Sequence, residues 1–186
     1  AVSANLSEEL GILFDRWAHD LRQNSFLSCV SEQGADEYLH GRLSMWRAYG
    51  GSTGIALIMN NHPFLAPSDA LGAYTSPVLY ADQTEFEAHF KEVSDNIENA
   101  IDFLRQMDRD EVINRMFGVL RTAVLCTKHP GFKEEREWRV IYTDGLGRSD
   151  RIEQSVEVVR GVPQSIRKIP LRDIPGEGLD GISLPK

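Results

Sequence analysis

The segment EREWRVIY, residues 135–142, carries the clearest structural signal in the chain. Its charged and bulky side chains alternate before an apolar run, which is typical of a β-strand. On such a strand the side chains divide between two faces, with Glu135, Glu137 and Arg139 on one and Arg136, Trp138 and Val140 on the other. Neighbours on one face are about 7 Å apart. The segment therefore predicts two carboxylates and a guanidinium side by side.

This charged face is a candidate site. Two carboxylates can serve acid–base chemistry or bind a sugar hydroxyl. Arg139 beside them could hold one carboxylate ionised or bind a substrate phosphate. The alternative is a salt-bridged strand face turned to solvent, because runs of charge are usually solvated. A nuclease with a metal at Glu135 and Glu137 is a weaker option, and no histidine pair has the spacing of a zinc motif, so we predict no metal site.

The regions around this strand predict the fold class. Two amphipathic helices are expected before it, each opened by a capping-box pattern, Thr84 with Glu87 and Asp108 with Glu111. A helix from about Ser7 to Gln23 is also expected. Short strands are expected at Ser25–Ser31, Thr53–Met59, Pro77–Ala81, Val156–Val159 and Ile166–Leu171. Helices clustered among strands predict an α+β fold, with a mixed or antiparallel sheet and a central pair of long helices packed against it.

Composition bounds the organisation and the partners of the chain. Its 186 residues suit a single domain, 1–186, with a loosely structured tail at 173–186. The net charge of −8 argues against general nucleic-acid binding. No apolar run is long enough to span a membrane, so we expect a soluble protein with no membrane partner. We interpret Cys29 and Cys126 as buried thiols, which favours a reducing, cytoplasmic location. The oligomeric state stays open.

A second candidate cluster is MWRAYGGSTG, residues 45–54. It predicts a short helix that is stopped by Gly50 and Gly51. Trp46 and Tyr49 are three residues apart, so they can share one helix face. Gly54 allows either close approach of a ligand or a tight turn. The alternative is an aromatic helix that packs on the core and ends in a turn.

Three segments in this order resemble the bacterial domain-of-unknown-function 2971 family. They are FLSCVSE at 26–32, LSMWRAYG at 43–50 with GIAL at 54–57, and FKEEREWRVI at 132–141. The family patterns are S-L-S-C-F-S-E, L-M-W-x-x-Y followed by G-x-x-I-x-F, and a late W/F-x-x-E-x-E-W-R strand. Y-H-Y-T-S-like and N-D-P-F-E-like segments usually open the family and are not in this sequence. We therefore expect a family domain without its usual N-terminal strand.

The layout of these motifs is similar, at a distance, to ADP-ribosyltransferase-like folds. That resemblance implies NAD as a substrate, with Glu137 matching the late-strand glutamate that binds the nicotinamide ribose. It further implies that Trp46 or Tyr49 stacks on nicotinamide and that Ser28 holds the ribose. The early His or Arg of those folds has no counterpart here.

Two hypotheses about function follow. The first is an NAD-binding, ADP-ribosyltransferase-like enzyme with Glu137 as the catalytic residue. Its binding residues would be Ser28, Trp46, Tyr49, Gly54, Glu135 and Arg139, with a small molecule or nucleotide as partner. The second is a non-catalytic sensor or interaction module in a defence or stress system, which the lack of a complete catalytic set favours.

Overall fold

A computed structural model describes residues 2–37, 40–59, 73–145, 149 and 151–169. The chain divides into two compact units. The first unit comprises Ala1–Asn24 and Ser76–Arg139, and the second comprises Ser25–Thr75 and Val140–Lys186. The single domain expected from length stays a prediction, and the tail at 173–186 lies outside the described residues.

The helices and strands alternate irregularly along the chain. The helices are α1 (Val2–Asn24), α2 (Leu43–Met45), α3 (Gln83–Asn99), α4 (Ile101–Leu104) and α5 (Arg109–Leu125). A π-helix continues α2 over Trp46–Gly50, and 3-10 helices span Ala35–Glu37 and Pro130–Glu135. The strands are β1 (Ser25–Ser31), β2 (Tyr74–Pro77), β3 (Leu79–Tyr80), β4 (Thr127–Lys128), β5 (Glu137–Thr143), β6 (Glu153–Val159) and β7 (Val162–Lys168).

The two long middle helices begin at side-chain caps. Asp82 accepts from the Glu85 N–H at 2.9 Å while the Glu85 carboxylate accepts from the Asp82 N–H at 3.0 Å. This reciprocal capping box starts α3 two residues before the cap predicted at Thr84. Asp108 caps α5 by accepting from the N–H groups of Asp110 and Glu111, as predicted.

Helix α5 packs along α1 within the first unit. The rings of Trp17 and Phe117 meet edge to face with centroids 5.9 Å apart, a favoured aromatic geometry. At the other end of this contact, Arg109 binds the Glu9 carboxylate at 2.6 Å. Buried apolar residues of this unit are Val78, Ala81, Val112, Ile113, Leu125 and Cys126.

The described strands form three small sheets. One has the order β1–β5–β2, the second pairs β3 with β4 in parallel, and the third is the antiparallel hairpin β6–β7. Ile141 on the central strand β5 has no exposed surface. Helices together with mixed and antiparallel strand pairs confirm the α+β prediction. Within the described part of the chain, no helix combines the length and apolar character needed to cross a bilayer.

Two expectations about burial were wrong. Thr53–Met59, predicted as a core strand, forms none: Thr53 lies in a turn, residues 54–59 have no regular structure, and Ile55 is 84% exposed. Strand propensity expresses itself only where a neighbouring strand supplies pairing and packing. Cys29 is exposed rather than buried, as are the neighbouring residues Leu27 and Ser28 on β1.

Candidate functional site

The strand predicted from Glu135 begins instead at Glu137. Pro130–Glu135 forms a 3-10 helix, capped by the His129 Nδ1 atom, which accepts from the Gly131 N–H at 3.1 Å. Arg136 then adopts a left-handed conformation with φ 44° and ψ 53°, which turns the chain into β5. Glu135 therefore does not lie on the strand, and only Glu137 and Arg139 share a strand face as predicted.

Glu137 is buried and binds two cations. Its side chain is 5% exposed. Its Oε1 atom accepts from the Arg139 Nε–H at 2.8 Å, and its Oε2 atom accepts from the Lys128 ammonium at 2.9 Å. Because each carboxylate oxygen accepts from a cation, the ionised form of Glu137 is stabilised inside the protein.

Lys128 joins the two glutamates. Its ammonium donates to both Glu135 and Glu137 and lies 4.8 Å from the centre of the Phe132 ring. Burial alone lowers the pKa of Lys128, but the hydrogen bonds to the two carboxylates outweigh it and raise the pKa above its ordinary value. We call Lys128, Glu135, Glu137 and Arg139 the Glu137 cluster.

Backbone bonds hold this cluster in place. The Glu137 N–H donates to the Tyr80 hydroxyl at 2.7 Å, and the Glu137 carbonyl accepts from the Val78 N–H at 2.9 Å. The Ala81 N–H donates to the Lys128 carbonyl at 3.1 Å, beside the parallel pairing of β3 with β4. Strand β3 thus connects the segment that carries Lys128 with the segment that carries Glu137.

The C-terminal end of α5 completes the surroundings. The Arg139 guanidinium donates to the Leu125 carbonyl at the last residue of the helix, where a cation complements the helix dipole. The next residue, Cys126, is buried, and burial raises the pKa of its thiol even though Ser76 and Arg139 act to lower it. The thiol is therefore in its neutral, poorly nucleophilic form at neutral pH.

The cluster balances two positive charges with two negative charges in a mostly buried place. The alternative of a solvent-facing strand face is wrong for Glu137, although the salt bridges it implied are present. The sequence interpretation missed Lys128 and Tyr80. The one available signal for Lys128 was an apolar helix ending just before it. Nothing in the sequence pairs Tyr80 with Glu137.

The other predicted site residues lie in the second unit. Trp46 and Tyr49 are on the π-helix, a rare form that is frequent at functional sites. The Trp46 Nε1–H donates to the His40 carbonyl at 2.8 Å. A Cβ atom added at Gly41 or Gly50 would lie 3.0 Å from the indole, so glycines make room for this ring.

Gly54 is required by a tight turn. A Cβ atom there would lie 2.3 Å from the Gly50 carbonyl oxygen, so the close approach is to the protein's own backbone. Ser28 is exposed on β1, and Tyr49 is 66% exposed. Glu135, Glu137 and Arg139 are thus brought together in the first unit. A site that they share with Ser28, Trp46, Tyr49 and Gly54 stays a prediction.

The acidic residues of the described part of the chain do not form a metal site. Among the residues that the structure describes, no three His, Cys, Asp or Glu side chains are grouped so that they could hold a metal ion. Glu135 and Glu137 both bind the Lys128 ammonium, which lies between them. The ammonium therefore takes the position that a shared cation would need.

Comparison with known proteins gives one result. The sequence model of a family described as "Protein of unknown function (DUF2971)" matches residues 45–140, slightly more than half of the chain. The matched range includes the π-helix, helices α3 to α5 and the whole Glu137 cluster. No curated protein and no solved structure matches the chain.

Proposed function

We propose that this chain, which belongs to the DUF2971 family, binds NAD and acts as an ADP-ribosyltransferase-like enzyme with Glu137 as its catalytic residue. The observation that carries the proposal is the carboxylate of Glu137, buried on β5 and held between Lys128 and Arg139. A buried carboxylate with this support keeps a fixed position and its negative charge.

The role proposed for Glu137 is electrostatic. When the bond between nicotinamide and ribose breaks, nicotinamide leaves with the electron pair and positive charge develops on the ribose. Glu137 would accept a hydrogen bond from the ribose 2′-hydroxyl and stabilise that charge, before an acceptor or water bonds to the same carbon. Both oxygens of Glu137 already accept from cations, which suits charge stabilisation better than proton abstraction.

The remaining roles follow the same proposal. Tyr49 or Trp46 would stack on the nicotinamide ring, and Ser28 would bind the ribose. Gly54 would shape the turn behind Trp46. Arg139 would hold the position and charge of Glu137 by binding it directly, and Glu135 would do so by holding Lys128, which binds Glu137.

The test uses the purified chain with labelled NAD and measures binding by calorimetry and release of nicotinamide. We expect Glu137→Gln to reduce nicotinamide release at least about 100-fold, the usual effect of removing one group that stabilises transition-state charge. Glu134→Gln is the matched control, because it makes the same chemical change on an exposed neighbour. NAD that neither binds nor turns over, or equal effects of the two variants, would contradict the proposal.

The charge balance of the Glu137 cluster favours a second function, that of a non-catalytic module. Both oxygens of Glu137 already accept from cations, and the cluster is close to neutral. Such a group can serve to hold the fold of a non-catalytic sensor or interaction module.

This candidate predicts no thermal stabilisation by NAD, since a ligand stabilises only the protein that binds it. It also predicts that a tagged chain recovers a defined partner from its native host, and that a surface variant outside the Glu137 cluster abolishes that recovery. A clear rise in melting temperature with NAD would favour the enzyme instead.

A further inference from the structure

The hairpin β6–β7 has a self-complementary outer edge. Its two-residue turn, Arg160 with φ 52° and Gly161 with φ 81°, matches the type that joins closely paired strands. The register pairs Val159 with Val162, Val158 with Pro163 and Val156 with Ser165. Within the described part of the chain this sheet has only two strands, so each strand has one outer edge.

The two outer edges differ in what they can bind. Pro163 on β7 has no N–H and lies at a position whose backbone points outward, so that edge is interrupted. The outer edge of β6 has no proline. Because a two-residue turn makes Val159 and Val162 a hydrogen-bonded pair, the N–H and C=O groups that face outward on β6 belong to Gln154, Val156 and Val158.

One face of the hairpin is apolar and exposed near its turn. Val156 and Val158 are 67% and 69% exposed, and Pro163 beside Val158 is exposed as well. At the other end of the same face, Arg167 stacks on Phe26 at 4.3 Å and binds Asp144. Phe26 and Asp144 therefore cover the Arg167 end of this face, and Val156 and Val158 remain exposed.

We propose that β6 pairs with β6 of a second copy of this chain, antiparallel and about a two-fold axis at Val156. In that register Val156 faces its own copy, and Gln154 faces Val158 of the other protomer. Each pair exchanges two N–H···O bonds, and the outward-facing groups on β6 are the ones such pairs use. The result is a four-stranded sheet with the strand order β7–β6–β6–β7, closed by its symmetry.

Charge selects this register over its neighbours. With the axis at Val156, Glu157 faces Ser155 of the other copy, and Ser155 already donates to Glu157 within one chain at 3.1 Å. An axis at Glu157 would oppose two glutamates directly, and an axis at Ser155 would oppose Glu153 to Glu157. Like charges directly opposite each other destabilise a sheet, and the Val156 register avoids them, unlike the registers one residue to either side.

The apolar face of the β6–β7 hairpin also favours a second copy of this chain as the partner. Across the axis, Val156 lies opposite Val156 of the other protomer, and Val158 continues this diagonal apolar row along each strand to Pro163. Gln154 of the other copy lies opposite Val158. A continuous apolar row on a four-stranded sheet gives a stability that an isolated two-stranded hairpin lacks. The acidic β6 edge would repel an acidic peptide. A second copy of β6 instead places the Ser155 hydroxyl, a hydrogen-bond donor, opposite the Glu157 carboxylate.

The experiment measures the oligomeric state of the full chain by sedimentation. We expect a concentration-dependent dimer, weakened about tenfold or more by Val156→Glu, which opposes two carboxylates on the axis. Ser165→Glu is the control, because it adds the same charge on the same face but away from the axis. A wild-type monomer at every concentration, or a dimer that Val156→Glu leaves intact, would overturn the proposal.

Disulfide trapping tests the register separately. In a Cys29→Ser background, Val156→Cys should oxidise to a covalent dimer, because directly paired Cα atoms are about 5.5 Å apart. Glu157→Cys is the matched control, since in this register the two residues 157 are not opposite each other. Equal trapping of both variants would contradict the register. A monomer in which the Val156 amide resists hydrogen exchange would show that another segment covers β6, and would also overturn the dimer.

Discussion

The Glu137 cluster and the Trp46–Gly54 segment are built in opposite ways. Around Glu137, buried charges hold one another between two strands and a helix end. Around Trp46, glycines let the backbone fold closely about one aromatic ring, while Tyr49 projects outward. The first region depends on electrostatics in a low-dielectric place, and the second depends on the absence of side chains.

This difference shows which changes each region tolerates. Removing a charge from the Glu137 cluster leaves its partners buried and uncompensated. Adding a methyl group to the Trp46–Gly54 segment creates a steric clash. Tyr49, whose side chain is 66% exposed, is accessible to a ligand.

The largest effect is expected from Glu137→Ala. This change leaves Lys128 and Arg139 without their shared carboxylate, and breaking a buried ion pair usually costs about 3–5 kcal/mol. The free energy of unfolding in urea, read by circular dichroism, measures the loss. Glu134→Ala, on the exposed side of the same turn, should stay within about 0.5 kcal/mol. A loss below about 1 kcal/mol for Glu137→Ala would mean that the cluster relaxes into water.

Gly54→Ala should give the next largest effect. Its Cβ atom would lie 2.3 Å from the Gly50 carbonyl oxygen, and overpacking of this kind costs about 1–3 kcal/mol. Gly118→Ala in α5 is the matched control, since its Cβ atom would meet nothing within 4 Å. Alanine is the better helix former by about 1 kcal/mol, so the two variants should shift the unfolding midpoint in opposite directions.

Tyr80→Phe and Tyr49→Phe compare the regions with one identical change. The Tyr80 hydroxyl accepts from the Glu137 N–H, so its removal should cost about 1 kcal/mol. Tyr49 is mainly exposed, and its loss of a hydroxyl should cost less than about 0.5 kcal/mol. Thermal melts of the two variants, recorded side by side, give the difference. Equal losses would show that Tyr49 is as constrained as Tyr80.

The smallest effect is confined to alkaline pH. The folded state raises the pKa of Lys128 above the ordinary lysine value of 10.5, so the folded protein binds more protons than the unfolded chain there. Stability from this group is complete below pH 10.5 and declines as the pH rises towards the folded pKa. Lys128→Met should therefore flatten the alkaline fall of unfolding free energy. An unchanged slope would contradict the assigned hydrogen bonds.

The strand β5 could be predicted because its pattern reports burial directly. Val140 and Ile141 follow alternating charges, and both are buried. Its start could not be predicted, because Glu135 and Arg136 suit a strand equally well by alternation. The cap at His129 and the left-handed Arg136 depend on geometry that a period of two does not encode.

The candidate site was predictable only in part. Glu137 and Arg139 share a strand face, and spacing along the strand is enough to show that. Lys128 reaches them through the pairing of β3 with β4, a contact between distant parts of the chain. The strand predicted at Thr53–Met59 was wrong for the converse reason, since hydrophobicity alone supplies no pairing partner.

The exposed Cys29 and the buried Cys126 are two thiols whose labelling rates can be compared within one molecule. A thiol reagent should modify Cys29 at the rate of an accessible thiol, whereas Cys126 can react only when the first unit opens around it. The ratio of the two labelling rates then reports the population of that open form in the native protein. The buried thiol beside Arg139 thus lets a simple mass measurement record how often the Glu137 cluster comes apart.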